Sequence, residues 1–310
     1  MNVCVTGGAG FIGSNLVDLL VAQGHQVVVV DDLRTGRRGN LPPGVPFYEC
    51  SVGAPRVREV LEEHRIEVVC HHAAQIDVRK SIEDPVYDAG VNIVDGLRLL
   101  DACRSAKVRK LVYASTGGAI YGDPGVEALP ANESTPVRPL SGYGISKHTL
   151  EHYLELYRSL YGLGYTVLRY ANIYGPRQDP LGEAGVIAIF TDCLLSGKTP
   201  RIFGDGKQTR DYVYVGDVCR ANLLALTAGD GEMVNIGTAV ETSVIDLLDE
   251  LNRATGQSVE AKFEPARAGE VYRIALDPAR AEQVLGWRPE VNLAEGLRKT
   301  IEFQRRLAQA

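Results

Sequence analysis

The stretch TGGAGFIG at residues 6–13 decides the fold class of this chain. It follows a short apolar run, VCVT at residues 3–6, and opens a segment of helical periodicity over residues 14–22. We expect Gly7 to permit a tight turn, Gly10 to let the backbone approach a pyrophosphate, and Gly13 to allow close packing of helix on strand. The helix N-terminus adds N–H groups and a partial positive charge. The stretch therefore predicts a strand–turn–helix unit that binds a dinucleotide.

Asp31 ends the second apolar run, VVVVD, and strengthens this interpretation. A carboxylate at that position can accept hydrogen bonds from both hydroxyls of the adenosine ribose, and it repels a 2′-phosphate, which favours NAD. Arg34, Arg37 and Arg38 follow closely, and a guanidinium near the ribose could instead hold the 2′-phosphate of NADP. We expect NAD, because Asp31 is nearer to the predicted ribose position.

The pattern of apolar runs extends the unit into a domain. Up to about residue 170, six β-branched runs alternate with longer segments of helical period: VCVT, VVVVD, VPFY, EVVCH, KLVYAS and TVLRY. This alternation predicts an α/β fold with a Rossmann-type doubly wound parallel sheet. After residue 172 the regularity fades, glycine, proline and arginine become dense, and helical stretches remain near 186–196, 217–228, 243–255 and 293–308. We expect an NAD-binding domain at 1–170 and a smaller α/β substrate-binding cap at 171–310, interleaved with the first.

Composition limits the possible partners. The 310 residues are 45% hydrophobic and 23% charged, which is typical of a globular chain with a sizeable core. We find no run of eighteen apolar residues and no signal-like start, so we expect a cytoplasmic protein without a membrane partner. The net charge of −6 offers no basic footprint for nucleic acid. Six scattered cysteines without metal-type spacing predict buried thiols and no metal site.

Tyr143 and Lys147 frame the stretch YGISK in a segment of helical period. Positions i and i+4 share one helix face, so both side chains can point at the same ligand. Lowering a phenol pKa by roughly three units requires about 4 kcal/mol. An ammonium at about 4 Å supplies a Coulomb energy of that order at the effective dielectric of a cleft. Two unrelated surface residues would be the simpler interpretation, but the dinucleotide loop in the same chain favours an acid/base pair.

Taken together, these motifs resemble the extended short-chain dehydrogenase/reductase family, and within it the group of NAD-dependent UDP-glucose 4-epimerases. The resemblance spans almost the whole chain. It rests on TGGAGFIG at 6–13, HHAA at 71–74, AST at 114–116, Tyr143 with Lys147, RYANIYGP at 169–176, RDY at 210–212 and RAGE at 267–270. It implies 4-epimerisation of a UDP-hexose, by transient oxidation at C4, rotation of the 4-keto sugar and return of the hydride.

The resemblance also assigns catalytic roles. Tyr143 would be the acid/base, and Lys147 would lower its pKa and hold the nicotinamide ribose. A hydroxyl after the fifth strand would share the hydrogen bond to the sugar O4, and we choose Thr116 for it, with Ser115 behind. This segment is one residue longer here than in many relatives. If the register is counted back from Tyr121, a glycine occupies the position instead.

Two further sets of residues follow from the resemblance. The expected cofactor-binding residues are Gly7, Gly10, Phe11, Ile12, Gly13, Asp31, Asp32, Ser51, Val52, Ala73, Ala74, Asn92, Tyr143, Lys147 and Tyr170. The expected substrate-binding residues are Asn172, Val186, Arg201, Ile202, Phe203, Arg210 and Arg267. Within the second set, Asn172 would contact the diphosphate, two arginines would neutralise it, and Val186, Ile202 and Phe203 would flank the uracil. Ser51 stands where relatives often carry an aspartate that contacts adenine.

Several alternatives remain open at the level of sequence. Gly117 and Gly118 stand where relatives that dehydrate the sugar carry carboxylates, which favours return of the hydride. UDP-N-acetylglucosamine or UDP-glucuronate could replace the hexose, and the latter could be decarboxylated. A non-catalytic NAD-binding regulator is an alternative of another class. Tyr153, Tyr157 and Tyr161 form a stripe on the helix of Tyr143 that serves either packing or a dimer contact. The resemblance implies a homodimer, because this helix contributes to the dimer interface of relatives.

Overall fold

The computed structural model describes residues 1–180, 185–266 and 271–309. The strands are β1 (Asn2–Thr6), β2 (Gln26–Asp31), β3 (Phe47–Glu49), β4 (Val68–His71), β5 (Lys110–Thr116), β6 (Gly164–Tyr170), β7 (Asn172–Tyr174), β8 (Arg201–Phe203), β9 (Thr209–Arg210), β10 (Tyr212–Tyr214), β11 (Glu232–Ile236), β12 (Thr242–Ser243) and β13 (Lys262–Glu264). The α-helices are α1 (Phe11–Ala22), α2 (Arg56–Glu63), α3 (Val78–Glu83), α4 (Pro85–Ala89), α5 (Asp95–Ser105), α6 (Gly117–Ile120), α7 (Gly142–Tyr161), α8 (Val186–Leu195), α9 (Val215–Ala225), α10 (Val244–Thr255), α11 (Ala279–Leu285) and α12 (Leu293–Gln309).

Seven parallel strands form the central sheet, in the order β11-β6-β5-β4-β1-β2-β3. The six apolar runs predicted as strands become β1 to β6, which confirms the Rossmann-type doubly wound sheet. These runs are almost continuously apolar because helices cover both faces of the sheet. One face packs against α1 and α9, and the other packs against α2, α5 and α7.

The seventh strand was not predicted. β11 lies far beyond residue 170, yet it pairs with β6 along its whole length, with Val234 opposite Leu168. The chain therefore returns from the second half to complete the sheet, and α9 packs on α1 beneath it. The division of the chain near residue 170 stays a prediction, with β11 as a segment that crosses it.

The second half builds a smaller layer of short strands and helices. Three two-stranded pairings occur there, β7 with β10, β8 with β13 and β9 with β12. A separate apolar core joins α8, α10 and α12 through Phe190, Leu247 and Leu297. In the ranges that the structure describes, no helix combines the length and the apolar character needed to cross a membrane.

Helix α7 begins and ends where its sequence directs. The Ser141 side chain accepts a hydrogen bond from the Gly144 N–H at 3.1 Å and caps the first turn. Gly162 ends the helix in a left-handed conformation with φ of 71°. The buried face includes Lys147 and Glu151, two charged residues one turn apart. Two charged side chains on the buried face of α7 indicate that this helix contributes to a functional site.

Strand order brings the functional segments together. β1 has β2 on one side and β4 on the other, so the chain order reverses at β1. Ligands of open α/β sheets bind at such a switch point, in the crevice outside the carboxyl ends of the strands. The loops after β1, β4 and β5 all leave from that edge.

Candidate active site

The glycine loop after β1 has no room for larger side chains. Gly7 has a φ of 69°, and a Cβ there would lie 2.5 Å from the Ala73 nitrogen. A Cβ on Gly13 would lie 2.2 Å from the Gly7 carbonyl oxygen. Phe11 and Ile12 open helix α1 and pack against the core, and Gly10 at the N-cap carries no capping side chain. The N-terminal N–H groups of α1 thus face the crevice in the arrangement that binds a pyrophosphate.

Asp31 lies at the end of β2 and braces this loop. Its two carboxylate oxygens accept hydrogen bonds from the N–H of Ala9 at 2.9 Å and of Leu33 at 2.8 Å. Burial raises the pKa of the Asp31 carboxyl, and the two N–H donors oppose the increase. Asp32 is instead paired with Arg34 at 3.1 Å near the surface. Asp31 is therefore the carboxylate that the fold holds beside the glycine loop.

The nearby arginines have protein partners. Arg37 forms an ion pair with Asp179 at 2.7 Å, and the Arg38 guanidinium lies 4.3 Å from the centre of the Phe47 ring. Since Arg34 is also paired, none of these three guanidiniums stands without a partner beside Asp31. This arrangement fits NAD better than NADP, as the sequence predicted.

The loop after β4 is organised by Asn92, which lies in a π-helical turn at Gly90–Val94. The Asn92 amide donates to the Gln75 carbonyl and accepts from the Gln75 N–H, both at 2.9 Å. It also reaches Asp88 and the Ser146 hydroxyl, at 3.1 Å each. Asn92 thus fixes the segment that follows Ala73 and Ala74 against helix α7.

Three other predicted cofactor residues lie around the sheet edge. The Ser51 hydroxyl donates to Asp95 at 3.1 Å, and Val52 beside it is buried. Tyr170 is buried on the α9 side, where its hydroxyl accepts a hydrogen bond from Asn222 at 2.8 Å. Their contacts to a cofactor stay predictions.

Tyr143 and Thr116 meet at the carboxyl end of β5. Tyr143 stands in the first turn of α7, close enough to Thr116 that the Thr116 side chain lowers the pKa of the phenol. Ser115 turns the other way, because successive strand residues point to opposite faces. Its hydroxyl donates to Glu151 at 2.6 Å in the buried interior. Of the two candidate hydroxyls, the structure therefore brings Thr116 to Tyr143 and holds Ser115 away.

The two glycines after Thr116 have different surroundings. A Cβ on Gly117 would lie 2.4 Å from the Leu276 side chain, so this position is closed by packing. A Cβ on Gly118 would lie 3.5 Å from the Asn172 side-chain oxygen and 3.9 Å from the Thr116 hydroxyl. Gly118 thus borders the space between Thr116 and Asn172, and no carboxylate occupies either glycine position.

Lys147 lies one turn below Tyr143 and is only 3% exposed. Its ammonium lies 4.3 Å from the centre of the Tyr113 ring. Burial lowers the pKa of Lys147 to about 7, and the carboxylates of Glu151 and Asp88 oppose that decrease. The Lys147 ammonium is thus removed from solvent, and the carboxylates of Glu151 and Asp88 favour its charged form.

Burial is the main influence on the pKa of the Tyr143 phenol. Burial, and after it the negative charge of Asp88, raise the pKa of Tyr143 to about 12, while the hydrogen bond with Thr116 lowers it. The lowering of this pKa by Lys147, with help from the positive charge of an oxidised nicotinamide, stays a prediction. Tyr143 is protonated at neutral pH in the protein by itself.

His71, at the end of β4, and His72, directly after it, are packed inside the protein. His71 is hydrogen-bonded to the Thr6 hydroxyl at 2.7 Å, and burial with the Lys147 charge lowers its pKa well below the ordinary value. Burial likewise lowers the pKa of His72 to about 4. Both rings are neutral near pH 7.

The predicted substrate residues follow in the second half of the chain. Asn172 opens β7, and Arg210 on β9 donates to the Thr209 carbonyl at 2.8 Å. Val186 opens α8. Arg201 is exposed on β8, Phe203 is half-buried there, and Ile202 between them is buried in the core of α8, α10 and α12. Ile202 thus packs inside the cap. Arg267 lies outside the described residues.

Sequence reasoning missed a buried polar network behind the site. Arg169 on β6 forms a two-pronged ion pair with Glu151, at 3.1 Å and 2.7 Å. A third Arg169 nitrogen donates to the Tyr121 hydroxyl at 3.0 Å. The signal was present in the sequence, because Glu151 follows Lys147 by four residues and Arg169 interrupts an apolar strand.

Comparison with known proteins places this geometry in a family. The model of the NAD dependent epimerase/dehydratase family matches residues 3–237. The UDP-glucose 4-epimerase of Mycolicibacterium smegmatis is 48% identical, with 100% of each chain covered. The structure of Thermotoga maritima UDP-glucose 4-epimerase with UDP-glucose is 48% identical and has a TM-score of 0.97, covering 99% of this chain and 100% of that one. The Thermus thermophilus UDP-glucose 4-epimerase in complex with NAD is 46% identical and has a TM-score of 0.94, covering 98% and 99%. The chain belongs to the NAD-dependent epimerase/dehydratase family.

Proposed function

We propose that the protein interconverts UDP-glucose and UDP-galactose by NAD-dependent 4-epimerisation. The observation that carries this proposal is the placement of Tyr143 beside Thr116, with buried Lys147 one turn below. The pair stands at the same sheet edge as the glycine loop. The relatives above, one of them with UDP-glucose and one with NAD, support it.

The crevice fits NAD on steric and electrostatic grounds. Gly7 and Gly13 leave no space for side chains, and the uncapped N-terminus of α1 offers N–H donors for a pyrophosphate. Asp31 is held at the end of β2, where a ribose hydroxyl can reach it. Bound NAD supplies the hydride acceptor and donor, and its oxidised ring adds a positive charge beside the phenol.

Tyr143 moves the proton in this scheme. Its phenol oxygen takes the proton of the sugar O4 when C4 is oxidised, and it returns a proton to O4 after the keto sugar has rotated. Thr116 holds the same O4 through its hydroxyl, which orients the reacting oxygen. Lys147 supplies a cation in a region of low dielectric, so it stabilises the phenolate strongly. One proton and one hydride leave and return, so the reaction has no net redox change.

The neighbourhood of Thr116 supports epimerisation over dehydration. Elimination of water across C5 and C6 needs an additional acid and base next to the sugar. Gly117 and Gly118 occupy the positions after Thr116, and Gly118 leaves space beside Asn172. A ketone formed there is reduced again, and the open space gives it room to turn.

The UDP moiety would lie on the second half of the chain. We propose that Asn172, Arg210 and Arg267 bind the diphosphate, with Arg201 at its periphery. Arginine suits this role because its donors form a fork that matches phosphate oxygens. Val186 and Phe203 would flank the uracil, with Ile202 supporting Phe203 from the cap core.

We also propose a cytoplasmic homodimer. Of the stripe that we predicted to serve either packing or a dimer contact, Tyr153 and Tyr157 pack against the core between α5 and α7. The exposed large apolar side chains of α7 are Ile145, Leu156, Leu160 and Tyr161, the last of which belongs to the predicted stripe. A second copy would cover these side chains, because contiguous exposed apolar surface favours association.

One incubation tests the proposed reaction. Purified protein is mixed with UDP-galactose, without added NAD, and UDP-glucose is followed by NMR or chromatography. We expect conversion that is abolished in Tyr143→Phe, with fold and NAD binding retained. Normal turnover by that variant would show that the mechanism is wrong, and NAD binding without turnover on any UDP-sugar would identify a regulator.

A further inference from the structure

Glu151 is the most deeply buried charged group behind the reacting residues. It is 0% exposed and occupies the position one turn below Lys147 on helix α7. Residues four apart on a helix lie about 5–6 Å from each other at Cβ. Nothing in the proposed proton transfer uses this carboxylate, although burying an ionised carboxyl costs free energy unless it is fully satisfied.

Three side chains, from β5, β6 and α7 itself, contact this carboxylate. Oε1 accepts from the Ser115 hydroxyl on β5 at 2.6 Å and from the Arg169 Nε on β6 at 3.1 Å. Oε2 accepts from another Arg169 nitrogen at 2.7 Å and contacts the His148 ring at 2.9 Å. Burial opposes the Glu151 charge, but the His148, Arg169 and Ser115 contacts together hold the pKa of its carboxyl below the ordinary value. Glu151 is thus an anion at neutral pH.

The Ser115 contact has a geometric consequence for the reacting pair. Ser115 and Thr116 are consecutive in β5, so a bond that fixes Ser115 to α7 also fixes where Thr116 stands relative to Tyr143 on the same helix. Tyr113 adds a second tie, because its hydroxyl donates to the Lys147 carbonyl at 3.3 Å. On the neighbouring strand β6, Arg169 lies opposite Ser115 in the sheet register. The network of hydrogen bonds therefore spans β5, β6 and α7.

The charge of Glu151 has a separate consequence for Lys147. The groups facing Lys147 are Asp88 from α4, Glu151 and Tyr143 from α7, Tyr113 from β5, and His71 and His72 from the end of β4. The two histidines are neutral near pH 7, because burial and the Lys147 charge lower their pKa values. Glu151 and Asp88 are the groups that favour it, and Glu151 is the larger contributor.

We propose that Glu151 is a positioning residue for the reaction: its buried carboxylate fixes the strand of Thr116 against the helix of Tyr143 and keeps Lys147 charged. This inference rests on the proposed function, since it describes how the same site is held in its working arrangement. It separates the two hydroxyls after the fifth strand by role, with Thr116 toward the substrate and Ser115 toward Glu151.

The test combines a titration with turnover. The side-chain ¹⁵N resonance of Lys147, assigned by its loss in Lys147→Met, is titrated in the full-length protein. We expect Glu151→Gln to move the Lys147 midpoint to lower pH by about one unit, since it removes a nearby opposite charge. Glu155→Gln is the matched control, because Glu155 is the next acidic residue on α7 and is exposed. Equal midpoints in the two glutamine variants would overturn the charge role.

The positioning role is tested by variants that keep the carboxylate. Ser115→Ala and Glu151→Asp should leave the Lys147 midpoint in place but reduce kcat on UDP-galactose about tenfold or more, because small displacements of reacting groups are costly. Parental kcat in both variants would overturn it. If Glu151→Gln does not fold, Glu151→Asp still decides the positioning role. If the parent protein turns over no UDP-sugar, the proposed function fails, whereas the Lys147 titration still tests Glu151.

Discussion

The ammonium of Lys147 lies 4.3 Å from the centre of the Tyr113 ring, in the buried interface between β5 and α7. A cation over an aromatic face is stabilised by the ring quadrupole, more strongly where water is excluded. The ring thus offsets part of the desolvation that lowers the pKa of Lys147. This contact links a residue on the sheet to the charge state of the catalytic helix.

We expect Tyr113→Phe to keep this stabilisation, because the ring remains. Tyr113→Leu should lose it and move the loss of activity to lower pH, since Lys147 then gives up its proton more easily. The measurement is the pH profile of kcat for UDP-galactose conversion between pH 5.5 and 9. Identical basic limbs in the Leu and Phe variants would mean that the ring does not stabilise the cation.

A buried lysine also makes stability depend on pH. The pKa of Lys147 is lowered from 10.5 to about 7 in the folded protein. Between these values the unfolded chain binds more protons than the folded one, so folding stability rises with pH across this window. Keeping Lys147 protonated destabilises the folded protein most below pH 7. At 1.36 kcal/mol per unit of pKa, the lowered pKa corresponds to at most about 5 kcal/mol.

Lys147→Met should therefore be more stable than the parent at pH 6.5 while losing turnover. The difference in the free energy of unfolding should narrow by pH 9.5, where the parent lysine is neutral. Urea denaturation at the two pH values measures it, with the exposed Lys198→Met as control. A variant that is equally destabilised at both pH values would contradict the lowered pKa.

The two glycines after Thr116 should respond differently to an added methyl group. At Gly117 the methyl would meet Leu276 at 2.4 Å, so Gly117→Ala should destabilise the protein by about 1–3 kcal/mol. At Gly118 the nearest atoms are 3.5 Å away or more, so Gly118→Ala should fold normally. It should still slow turnover, because the methyl enters the space between Thr116 and Asn172. Thermal melts and kcat distinguish the two positions, and wild-type turnover in Gly118→Ala would place that space outside the sugar site.

Six of the seven strands of the central sheet could be predicted from the sequence, because β1 to β6 are apolar runs bounded by clear breaks. β11 escaped prediction, since its run EMVNI is short, lies beyond the regular alternation, and gains its place only by pairing with β6. Strand pairing across more than 60 residues leaves little local signal. β11 is therefore the segment through which the two halves of the chain interleave as expected, and hydrophobic periodicity could not identify it.

For the site, motif spacing predicted which residues come together but not how each one points. The pattern could not choose between Ser115 and Thr116, because the choice depends on which face of β5 each residue occupies at the strand end. It also did not show that burial raises the pKa of Tyr143, since desolvation depends on packing in three dimensions. Glu151 and Arg169 went unnoticed because each is unremarkable alone and acquires a role only through the other.

The last prediction concerns assembly. Leu160 on α7 is 60% exposed although it is a large apolar residue, and Leu156 lies one turn before it. If a second copy covers this face, Leu160→Glu would bury a charge without a partner in the interface and should convert the dimer to a monomer. Val240→Glu is the control, because Val240 is similarly exposed in a loop of the cap. Analytical ultracentrifugation measures the mass of each variant. A parent protein that sediments as a monomer would contradict the proposed dimer. If Val240→Glu remains a dimer and Leu160→Glu becomes a monomer, the interface lies on α7.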